Sequence, residues 1–252
     1  MTAPAKRLVL VAAGAVLLVL APAAFGDRFI PPLVWPEPPV ITPGEGTAPT
    51  SDAIVLFDGK NFDAWNGVKK TMIDSDGGFT VKEPMQTKQN FGDVQLHVEF
   101  AEPKPPKGRD QARGNNGIGL MGARYEIQVL DSYENKTYFE GQCASVYNQK
   151  PPMVNANRKP GEWQTYDIIF TAPQFDDDGK VTKPAFVTVL HNGVLVQNHT
   201  EVLGNTYYDK PPKYEKHGKA PLVLMYHGDP VRFRNIWLRE IKELEPKQRE
   251  RK

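Results

Sequence analysis

Through the middle of this chain apolar residues recur at every second position. Val94, Leu96, Val98 and Phe100 alternate with Gln95, His97 and Glu99, and Tyr166, Ile168 and Phe170 straddle polar residues such as Asp167. Successive side chains of a strand point to opposite faces, so this period predicts half-buried strands resting one face on a core. A further apolar run, Ala185 to Leu190, meets His191-Asn192-Gly193, after which Val194-Leu195-Val196 resumes. An Asn-Gly pair between two such runs predicts a hairpin closed by a type I′ turn, in which both central residues take positive φ. Ile127 with Val129, and Val231 with Phe233, complete the set. The expected core is Val94, Leu96, Val98, Ile127, Val129, Ile168, Val187, Val189 and Phe233. No amphipathic helix longer than about two turns is visible. Short antiparallel strands with Pro- and Gly-rich connections predict an all-β, two-sheet sandwich, with a barrel as the alternative. The absence of a fixed repeat excludes a propeller.

The flanks have a different composition. Lys6 and Arg7 precede thirteen apolar or small residues, Leu8 to Leu20, and then Ala21-Pro22-Ala23-Ala24-Phe25-Gly26. This is the pattern of a secretory signal peptide over 1–26, shorter than the roughly 20 residues that span a bilayer. An uncleaved anchor is the alternative, because the Ala-rich stretch lengthens the span. A periplasmic or extracellular protein with no membrane span after signal removal is expected. Seven prolines between Pro31 and Pro49 predict an extended spacer over 27–50. The domain is expected over 51–241, followed by a charged, exposed tail or frayed helix over 242–252.

Charge excludes one class of partner. Lys and Arg number 31 against 30 Asp and Glu, and no basic run falls within the domain, so the footprint needed for nucleic acid is missing. Gly and Pro, 21 and 23 of 252 residues, occur without a collagen period and fit a loop-rich globular domain. Cys143 is the single cysteine, so no disulfide framework supports an exported fold. Its neighbours, Gly141-Gln142 and Ala144-Ser145-Val146, offer no group to activate a thiol, and a buried structural role is expected.

Three segments are more particular than a generic sandwich: Gly114-Asn115-Asn116-Gly117-Ile118-Gly119-Leu120 with Tyr125-Glu126-Ile127-Gln128-Val129-Leu130-Asp131-Ser132; Gly161-Glu162-Trp163-Gln164-Thr165-Tyr166-Asp167-Ile168; and His227-Gly228-Asp229-Pro230-Val231-Arg232-Phe233-Arg234-Asn235-Ile236. With Leu56-Phe57-Asp58-Gly59-Lys60, Trp65, Thr87-Lys88 and Phe91-Gly92-Asp93, the domain resembles the 3-keto-disaccharide hydrolase family over about 54–241. The resemblance implies a concanavalin A-like jelly roll with a carbohydrate site on its concave face, and a small-molecule sugar oxidised at C3 as substrate.

Alternation places Glu126 and Gln128 on the face opposite Ile127 and Val129. The spacing imitates the Glu, Asp, Glu pattern of concanavalin-like glucanases with Gln128 in the central place, which is unsuited to a retaining carboxyl pair. A 3-keto sugar offers β-elimination, since the ketone acidifies the C2 proton and the C1 oxygen then leaves, with water adding afterwards. The candidate base is Glu126, with Asp131 and His227 as supporting acids or ligands. Lys88 and Arg234 are candidates for holding the ketone or enolate oxygen, and Asn115, Gln128 and Tyr147 for further substrate contacts. Trp65 and Trp163 are candidates for stacking on a sugar or for core packing. His97, His191, His199 and His217 show no ligand spacing, so no cofactor is specified, although a divalent cation on carboxylates from separate strands stays open. The competing functions are an exported enzyme cleaving 3-keto-glycosides, a non-catalytic carbohydrate-binding or adhesion module of the same fold, and an envelope scaffold.

Overall fold

Strands dominate the computed structural model, which describes residues 31–68 and 72–249. In chain order they are β1 (Ile54–Phe57), β2 (Trp65–Asn66), β3 (Phe79–Thr80), β4 (Met85–Phe91), β5 (Val94–Ala101), β6 (Asn116–Leu120), β7 (Tyr125–Val129), β8 (Gln164–Thr171), β9 (Ala185–His191), β10 (Val194–Val202), β11 (Ala220–Leu224) and β12 (Arg232–Glu240). They form a seven-stranded sheet in the order β10-β9-β8-β5-β12-β1, with β3 also on β12, and a five-stranded sheet in the order β2-β4-β11-β6-β7. All these pairings are antiparallel. The result is the all-β sandwich that the alternation predicts. The only helical segments described are two single 3₁₀ turns, Asp110–Ala112 and Phe139–Gly141.

The core lies between the sheets. Leu96, Val98, Phe100, Tyr166, Ile168, Phe170, Val187, Val189 and Phe233 face Met85, Ile118, Leu120, Tyr125, Ile127, Val129, Leu222 and Leu224, and all are buried. Every residue of the expected core is in this cluster. At the β9–β10 hairpin Asn192 and Gly193 have φ of 53° and 77°, as a type I′ turn requires. A bulge in β12 at Asn235, where φ is 43°, resets the alternation so that Phe233, Ile236 and Leu238 all point inward. Cys143 is buried, and its Sγ lies 2.9 Å from the Tyr166 hydroxyl.

The signal peptide expected over 1–26 lies outside the described residues. The spacer expected over 27–50 is shorter than its proline content suggests, since residues 38–243 form one compact unit. The Thr47 hydroxyl donates to Glu99, and the Asn235 and Trp237 side chains donate to the Thr47 carbonyl. Proline makes this segment extended, but its polar groups find partners on the outer face of the seven-stranded sheet. A separate small unit contains Leu33–Val34 paired antiparallel with Lys247–Gln248, so the charged tail contributes a short strand rather than a frayed helix. Its pairing continues through the Arg249 amide, which donates to the Pro32 carbonyl. Among the described residues no helix is long and apolar enough to cross a membrane.

Candidate functional site

The site forms where β7 turns its second face away from the core. Tyr125, Ile127 and Val129 point inward, so Glu126 and Gln128 point outward, as alternation requires. Both are nonetheless buried, at 5% and 1% exposure, because loops cover that face. The segment 144–147 hydrogen-bonds along the free edge of β7: Ala144 donates to Gln128, Gln128 to Ser145 and Tyr147 to Glu126 through their backbones. The Thr206 hydroxyl accepts from the Glu126 backbone amide.

Glycine makes room for the carboxylate. Gly119 pairs with Glu126 and Gly117 with Gln128, on the adjacent strand β6. A Cβ on Gly117 would lie 2.2 Å from Glu126 Oε1, so the acid occupies the space that any other residue would fill. Next to β6, β11 continues past Leu224 through a Met225 amide bond to the Gly117 carbonyl, which delivers His227 to the same face. The loop that follows is anchored by Asp229, whose Oδ2 accepts from the Asn115 amide at 2.8 Å.

These elements enclose a cleft of about 320 Å³ lined by Asn115, Glu126, Gln128, Tyr147, Thr206, Tyr208 and His227. His227 Nε2 lies 3.2 Å from Glu126 Oε1, and this hydrogen bond holds the imidazole pKa above its ordinary value against the opposing effect of burial. The Gln128 carboxamide adjoins the same oxygen: its Nε2 donates to Gln111 Oε1 at 3.0 Å, and with the amide turned over the nitrogen would lie 3.1 Å from Glu126 Oε1 and 2.8 Å from the Asn116 carbonyl. Either way, the polar groups of His227 and Gln128 gather at one oxygen of Glu126. Asn115 Oδ1 is buried without a protein partner, an acceptor suited to a substrate hydroxyl. The Tyr147 hydroxyl lies 2.8 Å from that of Tyr138.

The structure therefore brings together five of the candidates: Glu126, His227, Asn115, Gln128 and Tyr147. It separates three. Asp131 is 1% exposed and pairs with Arg113 Nε at 2.7 Å, while its other oxygen accepts from the Tyr133 amide. Burial pushes its pKa up despite Arg113, and it is absent from the cleft lining because the strand ends at Val129 and the chain turns. Arg234 belongs to the other sheet, pairing with Glu99 at 2.6 Å and covering the Trp163 ring at 4.1 Å. Lys88 is exposed on β4, three strands from β7 and so roughly 14 Å across the sheet at about 4.8 Å per strand.

Trp65 is a core residue whose Nε1 donates to the Leu56 carbonyl. His97 is buried between Asp167 and Glu99. His191 bonds Gln164, and His217 bonds Tyr125. His199 lies in β10, at a φ of 47°. Among the described residues no three His, Cys, Asp or Glu side chains gather closely enough to hold a metal ion. Thr206, Tyr208 and Tyr138 are additions to the sequence reading, and none lies in an alternating or motif-like run that distinguishes it.

The 3-keto-alpha-glucoside-1,2-lyase-like domain family matches this sequence over residues 52–239. The chain belongs to that family. Among solved structures, a Parabacteroides distasonis protein assigned to the glycosyl hydrolases is 47% identical, with a TM-score of 0.79, over 85% of this chain and 95% of that one. A second protein from the same organism, with the same assignment, is 23% identical with a TM-score of 0.54 over 75% of this chain and 99% of its own, and it supports the fold alone. No curated protein matches the sequence. Membership of this lyase-like family, together with the hydrolase-assigned relative, places the sandwich among carbohydrate-active proteins.

Proposed function

We propose that the chain is an exported enzyme that cleaves 3-keto-glycosides by elimination across C1 and C2, followed by addition of water. The observation that carries this reading is the single acid of the cleft: Glu126 stands there with an amide, Gln128, where a retaining glycosidase needs a second carboxyl about 5 Å away. An elimination needs only one base. The C3 ketone acidifies the C2 proton; Glu126 takes it, and the electron pair forms an enolate. As the ketone re-forms, a C1–C2 double bond develops and the C1–O bond breaks. Water then adds its hydroxyl to C1 and a proton returns to C2, so a glycoside and water give a 3-keto sugar and an alcohol. The 1,2-lyase character of the family supports the same bond order of events.

The polar groups nearest Glu126 have tasks in this scheme. His227 donates to Oε1 of Glu126 and fixes the carboxylate, and among the described residues Oε2 receives no hydrogen bond. That oxygen is the one available for the C2 proton. Asn115 Oδ1 accepts from a sugar hydroxyl, which satisfies its buried lone pairs. Export is supported by the residues of 1–26, whose charged start and short apolar run suit a signal peptide.

The direct test is incubation with a 3-keto-glucoside and with the same glucoside unoxidised. Release of alcohol from the oxidised substrate alone is expected. Equal cleavage of both would contradict the reading, and binding of the oxidised sugar without turnover would favour a carbohydrate-binding module.

A further inference from the structure

Elimination also needs a proton for the departing oxygen, and neither His227 nor Asp131 is free to give it. His227 is bonded to Glu126 itself, and Asp131 is held in the interior by Arg113. Tyr147 lines the cleft with Glu126, and its hydroxyl is 2.8 Å from that of Tyr138, whose side chain reaches the surface at 37% exposure. Two loops hold this pair. The Asn148 amide donates to the Glu140 carbonyl, and the Asn148 carboxamide donates to the carbonyls of Tyr207 and Tyr208, tying the segment carrying Tyr147 to the one carrying Tyr208.

We propose that Tyr147 is the acid that protonates the leaving group, and that Tyr138 connects it to solvent. The inference rests on the elimination reading of the site. With substrate bound, Tyr138 donates to Tyr147 and leaves the Tyr147 proton directed into the cleft. As the C1–O bond breaks, the departing oxygen takes that proton; Tyr147 takes one from Tyr138, and Tyr138 takes one from water. The hydroxide left by that water is the equivalent that adds to C1, and Glu126, whose proton exchanges with solvent in the meantime, returns one to C2, so no proton is created or lost. Burial, reinforced at Tyr147 by the Tyr138 hydroxyl, pushes the phenol pKa up, so Tyr147 stays protonated at neutral pH and has a proton to give.

The experiment compares Tyr147→Phe with the wild type on two 3-keto-glucosides, one with methanol and one with 4-nitrophenol as leaving group. Nitrophenolate departs without protonation and methoxide does not. Tyr147→Phe is expected to lower kcat on the methyl glycoside by about 10²–10⁴-fold and to leave the nitrophenyl glycoside within about threefold. Tyr138→Phe, altered at the surface, is expected to show the same selectivity at smaller amplitude and to keep its unfolding temperature. Equal losses on both substrates, or none on the methyl glycoside, would overturn the relay. Wild-type cleavage of unoxidised methyl glucoside would instead remove the elimination reading, and the relay with it.

Discussion

Replacing Gly117 by alanine separates the position of the base from the stability of the fold. Its Cβ would lie 2.2 Å from Glu126 Oε1, 2.8 Å from Cδ and 2.9 Å from Cγ, with all three nearest atoms on one flexible side chain. An ordinary C–H···O contact is about 3.3 Å, so the carboxylate must retreat by about 1 Å. A displacement of that size costs about 10²-fold in rate when the moved group performs the chemistry. The stability terms are small and opposed: alanine removes unfolded-chain freedom worth about 0.4–1 kcal/mol, and an off-rotamer Glu126 costs about 0.5–1.5 kcal/mol. At roughly 2–4 °C per kcal/mol for a domain of this size, Tm moves by no more than about 4 °C. Turnover of a 3-keto-glucoside and thermal unfolding, measured on the same preparation of Gly117→Ala, give the answer. Wild-type turnover with an unchanged Tm would refute the assignment of Glu126 as base.

Asp131→Asn is expected to do the reverse, lowering stability by roughly 1–3 kcal/mol through loss of the charged bond to Arg113 while keeping turnover per folded molecule; loss of turnover without loss of Tm would return Asp131 to the chemistry. Stability is also expected to fall as the pH rises from about 6.5 to 9. Its decline begins lower, because burial outweighs the hydrogen bonds of Glu102 and pushes its pKa up to about 8 from 4.5, so between these values the folded state keeps a proton that the unfolded chain has released. For His97 burial opposes the charged form, but Asp167 and Glu99 prevail and raise its pKa to about 9 from 6.5, so its contribution is complete below 6.5 and lost as pH rises through about 9. Glu102→Gln removes the first of these contributions, and its Tm is expected to fall less between pH 5 and 8 than that of the wild type; parallel Tm profiles would count against a protonated Glu102.

The parts of the fold that were legible are those governed by local geometry. One buried face imposes a period of two on β5 and β8, and the Asn192-Gly193 turn needs positive φ at both residues, so each left its mark in a few consecutive positions. The same rule put Glu126 and Gln128 on the face away from Ile127. Alternation tells which side of a strand a residue takes, but not which strands become neighbours. That is why Arg234 and Lys88, each plausible as a cation for an oxyanion, stand on the other sheet and three strands away. Nor does it show what lies above a face: burial of Glu126 depends on the segments 144–147 and 206–208, which pair through irregular backbone bonds. Tyr208 enters the cleft on the second of those segments and Tyr138 adjoins it through the Tyr147 hydroxyl, without periodicity to announce either.

The central claim is that Glu126 removes the proton at C2, and the fate of that proton tests it most directly. A 3-keto-glucoside turned over in deuterium oxide is expected to give a 3-keto sugar carrying deuterium at C2, and Glu126→Gln is expected to lower both turnover and C2 exchange by about 10²–10⁴-fold together. Product released by the wild type with its original hydrogen at C2, or full exchange in Glu126→Gln, would contradict the account.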